Sequence, residues 1–403
     1  MFDKVKTGPH EQLRNILARR GFIPTSCGGI IPANRCQRLL PDPPAMPDSD
    51  PDPIAAAPGP AEPAGLRHQA ARLLTPRPEG LYCPDGDFFI DPVRPVPRAL
   101  ITHGHADHAR AGHGAVLATA QTLDIMAIRY GADFTSSRQI AGDDDTIAVG
   151  GVEVSFHPAG HVLGSAQIRV AGRSGSITVS GDYARSENPV CTPWEPAPAD
   201  IFVTEATFGL PVFRHPDPMA EIGRLLASVD AFPERSHLVG AYALGKAQRV
   251  IMLLRMAGWD APIFIHGALQ KLCDYHISQG VPLGDLRPAT TDRATKADFA
   301  GAIILAPPSA FEATWAQRFP DPVICFASGW MQVRARARQR GVELPLIISD
   351  HVDWPDLTAT LTELDPAEVW VTHGREDAVI RWCELQGRAA RPLHLAGYED
   401  EAE

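Results

Sequence analysis

The six residues His103-Gly-His105-Ala-Asp107-His108 constrain this chain more than any other part of its sequence. They place four side chains of the metal-ligand type in one short loop, directly after the apolar stretch RALIT, which has the pattern of a β-strand. Each of these side chains has polar atoms that need a partner, so the arrangement has little value for packing alone. A divalent metal accepts such lone pairs, and we therefore predict a metal site at the end of this strand.

Other strand ends supply further ligand candidates. A site that holds two metals needs about seven ligands, which is more than one loop provides. His161 follows the strand GVEVSFHPAG, Asp182 ends SITVSGD, and His373 ends VWVTHG. Each alone would also suit a turn or a cap. Because all three occupy the same kind of position as the HGHADH loop, we predict that they complete a site for two divalent ions, with Zn²⁺ or Mn²⁺ as the best candidates and Fe²⁺ also suitable.

The order of the predicted elements indicates an α/β protein in which a β-rich domain is interrupted. Short strands that end in His, Asp or Glu fill residues 73–208. Helices and strands then alternate over residues 209–333, which is typical of a parallel sheet with crossover helices. Strands ending in histidine return in LIISDHVD and VWVTHGRED. We therefore predict a first domain part at 73–208, an insertion at 209–333 and a second domain part at 334–403.

Residues 1–72 are predicted to lie outside this body. Residues 41–65 are rich in Pro, Ala and Asp and contain almost nothing that could form a core, which indicates a disordered tether. A short helical pattern at residues 10–20 precedes it. The seven cysteines are an odd number without a CxxC pair, which favours reduced thiols, and Cys27 with Cys36 would give only two metal ligands.

Composition and charge restrict the classes of function. Of the 403 residues, 44% are hydrophobic and 21% charged, as in an ordinary globular enzyme. The sequence has no apolar run of about 18 residues and no signal-peptide pattern, so we expect a cytoplasmic protein without a membrane partner. A net charge of −11 argues against a protein that coats nucleic acid with a basic face. It still allows a nuclease in which bound metals and a few basic residues line the cleft.

The motifs HGHADH, HVLGSA, SGD and THG, in this order, resemble the metal motifs of the metallo-β-lactamase superfamily. The resemblance implies an αββα sandwich that binds two metals about 3.5–4 Å apart, with a metal-bound hydroxide as the nucleophile. It also implies one metal on His103, His105 and His161, the other on Asp107, His108 and His373, and Asp182 between them. Asp91, in FFIDP, matches an Asp that supports the site from behind, although a turn residue fits that position equally.

A second set of residues resembles the β-CASP branch of this superfamily, whose members process nucleic acids. Glu205 in FVTEATFG, the insertion at 209–333 and His351 in ISDHVDW follow the order of that branch. The resemblance implies that His351 protonates the departing sugar oxygen, while Glu205 holds its ring and favours the protonated form. From the residues alone, Glu205 could also be a strand-end carboxylate in a turn.

Within this branch, the resemblance is greatest to the bacterial ligase-associated DNA damage response exonucleases. It covers about residues 73–395 and rests on LYCPDGDFFIDP, LITHGHADHAR, ALGKAQR and SGWM. It implies a metal-dependent DNA exonuclease of DNA repair that acts on single strands or ends, beside an ATP-dependent DNA ligase and a helicase.

Other functions stay open. An RNA-processing β-CASP ribonuclease is the main alternative, because no residue reports the 2′-hydroxyl. The complete ligand set disfavours a non-catalytic scaffold, and the large insertion disfavours a small-molecule hydrolase.

Two basic segments are candidate nucleic-acid contacts. Lys246 and Arg249 lie where ALGKAQR begins a helix, and a free lysine at a helix N-terminus suits a phosphate, although a solvated helix start is equally compatible. The segment MQVRARARQR has arginines at alternate positions, Arg334, Arg336, Arg338 and Arg340. On a strand they would share one side and could follow a nucleic-acid backbone, whereas on a helix they would spread around it.

Several aromatic residues and histidines near these motifs have no assigned chemistry. The aromatic side chains could stack on bases, but we favour a role in packing for Phe208, Phe213, Trp330 and Trp354. We expect the three histidines without partner spacing to be structural, namely His215, His266 and His276.

Overall fold

The computed structural model describes residues 67–142, 145–289, 299–311, 314–319 and 321–395. The chain divides into two compact units, Met1–Glu62 and Pro63–Glu403, and all the described residues belong to the second. The predicted helix at 10–20, the predicted tether at 41–65, Cys27 and Cys36 lie outside the described residues. Among the described cysteines none forms a disulfide, and four of the five are buried.

The first part of the described chain forms one complete sheet and most of a second. The elements are α1 (Arg67–Ala70), β1 (Thr75–Arg77), β2 (Gly80–Cys83), β3 (Phe88–Ile90), β4 (Arg98–Leu100), β5 (His113–Ala118), α2 (Ala120–Tyr130), β6 (Thr135–Ile140), β7 (Ile147–Val149), β8 (Val152–Pro158), β9 (Ala166–Gly172), β10 (Gly175–Val179) and β11 (Ile201–Ala206). Strands β1 to β6 make the first sheet in sequential order, and β3 to β6 pair in parallel. Strands β7 to β11 are neighbours in the second sheet.

The next part of the chain forms a third sheet. Its elements are α3 (Pro218–Ala231), β12 (His237–Gly240), α4 (Lys246–Met256), β13 (Ile263–Ile265), α5 (Gly267–Ser278), β14 (Leu286–Pro288), β15 (Ile303–Ala306), β16 (Val323–Ala327), α6 (Arg334–Gln339) and β17 (Leu344–Leu346). The six strands have the order β14-β13-β15-β12-β16-β17, and every pair is parallel. This confirms the parallel sheet that the alternation of helices and strands predicted.

The last elements return to the second sheet. They are α7 (Trp354–Leu364), β18 (Glu368–Gly374), α8 (Glu376–Leu385) and β19 (Ala389–Pro392). Strand β18 pairs in parallel with β11, and β19 pairs with β18. The second sheet therefore has seven strands, two of which follow the third sheet in the chain.

The first two sheets face each other across a shared core. Alternate residues of a strand point to opposite faces, so Phe88 and Ile90 lie in this core with Val154 and Ile177 of the second sheet. The outer face of the first sheet packs on α2, and the outer face of the second packs on α7 and α8. The result is four layers, helix, sheet, sheet and helices, which confirms the predicted α/β class.

Two local predictions need correction. LIISDHVD was expected to be a strand that ends in histidine, but β17 ends at Leu346 and residues 347–350 make no strand pairing. MQVRARARQR is helical over Arg334–Gln339, so the alternative of a strand with all its arginines on one side is wrong. None of the helices in the described ranges has the length and apolar character needed to cross a bilayer.

The turn before α4 makes a close contact that only glycine allows. Gly245 has φ +82°, and a Cβ at this position would clash with Val162 Cγ1, beside His161. Gly258, at the other end of α4, has a similar φ of +87°, but no atom lies within 4 Å of its Cβ position. The two glycines thus share a positive φ, and they differ in the space available to a Cβ atom.

Gly245→Ala should destabilise the protein more than Gly258→Ala does. Both substitutions put a side chain at positive φ, which costs on the order of 1–3 kcal/mol, and only the first adds overpacking, typically about 1–3 kcal/mol. Urea unfolding of both variants measures the difference in the free energy of unfolding. Equal losses would show that the contact with Val162 relaxes without cost.

Candidate metal centre

The predicted ligands come from loops at the ends of four strands. His103, His105, Asp107 and His108 follow β4, His161 follows β8, Asp182 follows β10, and His373 lies near the end of β18. Because β10, β11 and β18 run parallel, their C-terminal ends meet at one edge of the second sheet. The loop after β4 reaches the same place from the first sheet.

One group of four ligand atoms has the spacing of a metal site. His103 Nε2 and His161 Nε2 each lie 3.1 Å from His105 Nδ1, and Asp182 Oδ2 lies 3.4 Å from His103 Nε2 and 3.7 Å from His161 Nε2. Tetrahedral Zn²⁺ with bonds of about 2.0–2.1 Å places neighbouring ligand atoms roughly 3.3–3.4 Å apart. The donor atoms present therefore fit a divalent ion.

A second group shares Asp182 with the first. His108 Nε2 lies 3.4 Å from Asp107 Oδ2 and 3.4 Å from Asp182 Oδ2. The same Asp182 oxygen thus lies within reach of both groups, as a bridging ligand must. The ring of His373 stacks on that of His108, with centroids 5.4 Å apart, although His373 is not a member of either group as found among the described residues.

Hydrogen bonds behind the site orient two of the histidines. His161 Nδ1 donates to the carbonyl oxygen of Asp350 at 2.8 Å, and His105 Nε2 donates to that of Leu244 at 3.2 Å. A ring nitrogen that donates to a carbonyl must carry the proton, so the other nitrogen presents its lone pair to the cluster.

Asp91 orients the ring of His108 in the same way. Its buried carboxylate accepts hydrogen bonds from the Thr102 amide at 2.8 Å and the Thr102 hydroxyl at 2.6 Å, and His108 Nδ1 lies 2.8 Å from Oδ2. Thr102 Oγ1 in turn lies 3.1 Å from His103 Nδ1. Asp91 therefore lies behind the ligands, in the position that the resemblance implied.

Burial and charge shift the pKa values of the candidate ligands in different directions. Burial and the neighbouring His351 and His105 lower the pKa of His161 to about 3, so its imidazole is neutral near pH 7. Burial alone would raise the pKa of Asp182, but His108 and His103 hold it well below its usual value. The cluster thus combines neutral imidazoles at His103 and His161 with a carboxylate anion at Asp182. Burial alone would lower the pKa of His108, but the charges of Asp182 and Asp107 hold it well above its usual value, so a metal bound there would displace a proton.

Glu205 and His351 form a pair beside this cluster. His351 Nδ1 lies 2.9 Å from Glu205 Oε2, and Glu205 Oε1 accepts a hydrogen bond from the Tyr183 amide at 2.9 Å. The ring of His351 lies 4.8 Å from that of His161, measured between centroids. Ligand atoms of Asp182, Glu205 and His351 also lie within 4.8 Å of one another. The pair therefore lies at the edge of the cluster of candidate metal ligands.

The two basic residues of ALGKAQR are not free. Lys246 Nζ lies 3.0 Å from Asp350 Oδ2, and Arg249 Nη1 lies 2.9 Å from Asp350 Oδ1. Only 5% of Lys246 and 1% of Arg249 are exposed. This corrects both expectations for the segment, a solvent-facing phosphate site and a solvated helix start. Sequence reasoning missed Asp350, although it directly precedes His351.

The arginines of α6 are exposed and do not all share one side of the helix. Arg334, Arg336 and Arg338 are all exposed, and Arg336 Cζ lies 3.9 Å from the centre of the Trp330 ring. Helical geometry places Arg336 on the opposite side from Arg334 and Arg338, which lie four residues apart on one face, so the arginines do not line one side as they would on a strand.

The remaining candidates mostly pack, as predicted. Phe208 and Phe213 are buried, and the rings of Trp330 and His215 lie against Phe208. Trp354 is half-buried at the first residue of α7. His276 is buried, and His266 Nδ1 caps α5 by accepting from the Ala268 amide at 3.1 Å.

A cleft of about 810 Å³ opens beside the ligands His105 and Asp107. Its wall is largely apolar, with two basic side chains, Arg129 and Lys271.

The chain has recognisable relatives, although no protein-family model matches it. A "Probable DNA ligase" of Opitutus terrae is 28% identical over 314 residues, which is 73% of this chain and 28% of that protein. "Endoribonuclease ysh1" of Emericella nidulans is 30% identical over 33% of this chain and 15% of that protein. "Cleavage and polyadenylation specificity factor subunit 3" of Dictyostelium discoideum is 27% identical over 43% of this chain and 27% of that protein.

The chain thus spans less than a third of the length of each of these relatives. A solved structure from Enterococcus faecalis V583, of a protein of unknown function, has a TM-score of 0.46 at 12% identity over 75% of this chain and 80% of that one, a score too low to bear on the fold.

Proposed function

Because the chain belongs to the metallo-β-lactamase superfamily, in its β-CASP nuclease branch, we propose that it is a two-metal phosphodiesterase and, more specifically, a DNA exonuclease of DNA repair. We expected the insertion to end at residue 333, but β17 pairs with β16 in the third sheet. In this proposal residues 73–208 and 347–403 therefore form the αββα sandwich, and residues 209–346 are the β-CASP insertion. The order of the sheets supports this architecture, since the third sheet lies in the chain between β11 and β18.

The observation that carries the proposal is the position of Asp182 Oδ2, 3.4 Å from both His103 Nε2 and His108 Nε2. We assign one metal to His103, His105 and His161, the other to Asp107, His108 and His373, and Asp182 to both. When bound, a pair of Zn²⁺ or Mn²⁺ ions supplies an activated water at neutral pH and neutralises the charge on the phosphoryl oxygens.

The residues of the chain then hold and move a proton. His351 Nδ1 donates to the buried Glu205, so Nε2 is the nitrogen that can deliver a proton to the departing sugar oxygen. An anion beside the ring favours the imidazolium form. A sugar alkoxide is a poor leaving group, which is why a proton donor is needed at this position.

Substrate identity is the finer part of the proposal. The relative named as a probable DNA ligase supports DNA as the substrate. From the resemblance over residues 73–395 we also propose an ATP-dependent ligase and a helicase as partners, in the cytoplasm. The relatives named as an endoribonuclease and a polyadenylation factor subunit support the alternative, RNA processing. Arg129 and Lys271 in the cleft, and Arg334, Arg336 and Arg338 on α6, are the proposed contacts to the backbone of either polymer.

Cleavage of end-labelled single-stranded DNA and RNA of one sequence, with each metal in turn, tests the proposal. We expect stepwise shortening of DNA, no shortening of RNA, and loss of activity in His103→Ala. Preferential cutting of RNA would replace the DNA function with RNA processing. Absence of cutting on both polymers with every metal would contradict the nuclease function.

A further inference from the structure

The segment that carries His351 is held by two cations from the first turns of α4. Lys246 Nζ donates to the Ile348 carbonyl oxygen at 3.0 Å and pairs with Asp350. Arg249 Nη1 donates to the Ser349 carbonyl oxygen and pairs with the other oxygen of Asp350. Three consecutive residues before His351 are therefore bound by side chains from an element about 100 positions away.

This segment contacts two residues of the site at once. The Asp350 carbonyl oxygen accepts the hydrogen bond from His161 Nδ1, and the His351 amide donates to Ser349 Oγ at 3.1 Å. Arg249 is itself held by a further hydrogen bond, because its Nη2 donates to the Glu187 carbonyl oxygen at 3.1 Å. A shift of α4 would consequently move the backbone from which His351 projects.

Stability alone does not account for such an arrangement. Removing charges from water is costly, and a well-packed apolar replacement of a buried ion pair is often equally stable. Here two cations and one carboxylate are almost completely buried, with side-chain exposures of 6%, 1% and 4%. The charged groups instead define a position, because each paired oxygen holds the segment at a fixed distance from α4.

We propose that Lys246, Arg249 and Asp350 are positioning residues for the general acid His351, an inference that rests on the proposed function. Lys246 and Asp350 line a small cavity together with His161 and His351, so they lie beside the site, and in this proposal they act through His351. They hold residues 348–350 so that the ring of His351 meets Glu205 on one side and the leaving oxygen on the other. Their contribution to the rate therefore passes through proton delivery.

The dependence on the leaving group tests this role. A p-nitrophenolate leaves as a stable anion and needs no proton, whereas a sugar alkoxide does. Lys246→Met should lower hydrolysis of single-stranded DNA about 10–100-fold, as expected for a supporting residue. It should leave hydrolysis of the p-nitrophenyl esters of thymidine 3′- and 5′-phosphate nearly unchanged. Lys246→Arg should recover part of the DNA activity.

A double-mutant cycle with His351→Ala gives a second readout. If Lys246 acts through His351, the double variant should hydrolyse DNA no more slowly than His351→Ala alone. The same cycle with Asp350→Asn covers the case in which Lys246→Met does not fold. The matched control is Arg235→Met, which removes an arginine that pairs with Asp321 and Glu343 just before the N-terminal ends of β12, β16 and β17. This control should leave both activities unchanged.

Two results would overturn the inference. One is an equal loss of activity on DNA and on the aryl esters, which would indicate damage to the metal centre through His161. The other is a full additional loss in the double variant. An inactive wild-type protein with every substrate would instead count against the proposed function, so the two failures can be told apart.

Discussion

Asp182→Asn should abolish hydrolysis of both DNA and aryl phosphodiesters and lower the metal content from two ions per chain to one or fewer. The asparagine keeps the shape of the side chain but removes the negative charge that both ligand groups share. Metals contribute several kcal/mol of transition-state stabilisation, so the rate should fall by on the order of a thousandfold or more. Steady-state rates and metal analysis of the purified variant measure both effects.

The matched control is the same substitution near the opposite end of β10. Asp200 accepts hydrogen bonds from Ser176 there and has no contact with the metal groups. Asp200→Asn should keep both metals and full activity. If Asp182→Asn kept two metals and its activity, the bridging assignment would be wrong and the two-metal proposal would fail with it.

His351→Ala should lower hydrolysis of DNA about 10²–10⁴-fold, the usual contribution of a general acid. Hydrolysis of the p-nitrophenyl esters should fall far less, because their leaving group needs no proton. Metal content should stay at two ions per chain, since His351 pairs with Glu205 and belongs to neither proposed metal. Rates on both substrates, with metal analysis, provide the measurement.

The alternative role for His351 is that of a metal ligand. Its ligand atom lies within 4.8 Å of those of Asp182 and Glu205, so these three residues could themselves hold an ion. In that case His351→Ala would lose metal and would lose activity equally on both substrates. Glu205→Gln distinguishes the two roles further. If Glu205 only supports the general acid, this variant should lower hydrolysis of DNA, as His351→Ala does, and should leave hydrolysis of the aryl esters nearly unchanged.

The elements were predictable where the signal is local. Strands such as Phe88–Ile90 and Ile201–Ala206 are short apolar runs bounded by turns, and helices such as Pro218–Ala231 begin with a capping aspartate and a proline. The prediction failed at LIISDHVD, which has the composition of a strand. There the Ile347 amide donates to Glu221, and the carbonyls of Ile348 and Ser349 accept from Lys246 and Arg249. Side chains thus supply the hydrogen bonds that a neighbouring strand would otherwise give to this segment.

By itself the sequence determined the residue types of the site, because metal ligands after successive strands leave a pattern along the chain. Only the tertiary structure decided which atoms meet: that the same oxygen of Asp182 lies 3.4 Å from both His103 Nε2 and His108 Nε2, and that Lys246 and Arg249 are buried against Asp350. The physical reason is that a sequence gives the sign of a charge but not its partner. Partners about 100 residues apart are chosen by the packing of α4 against the segment that carries His351.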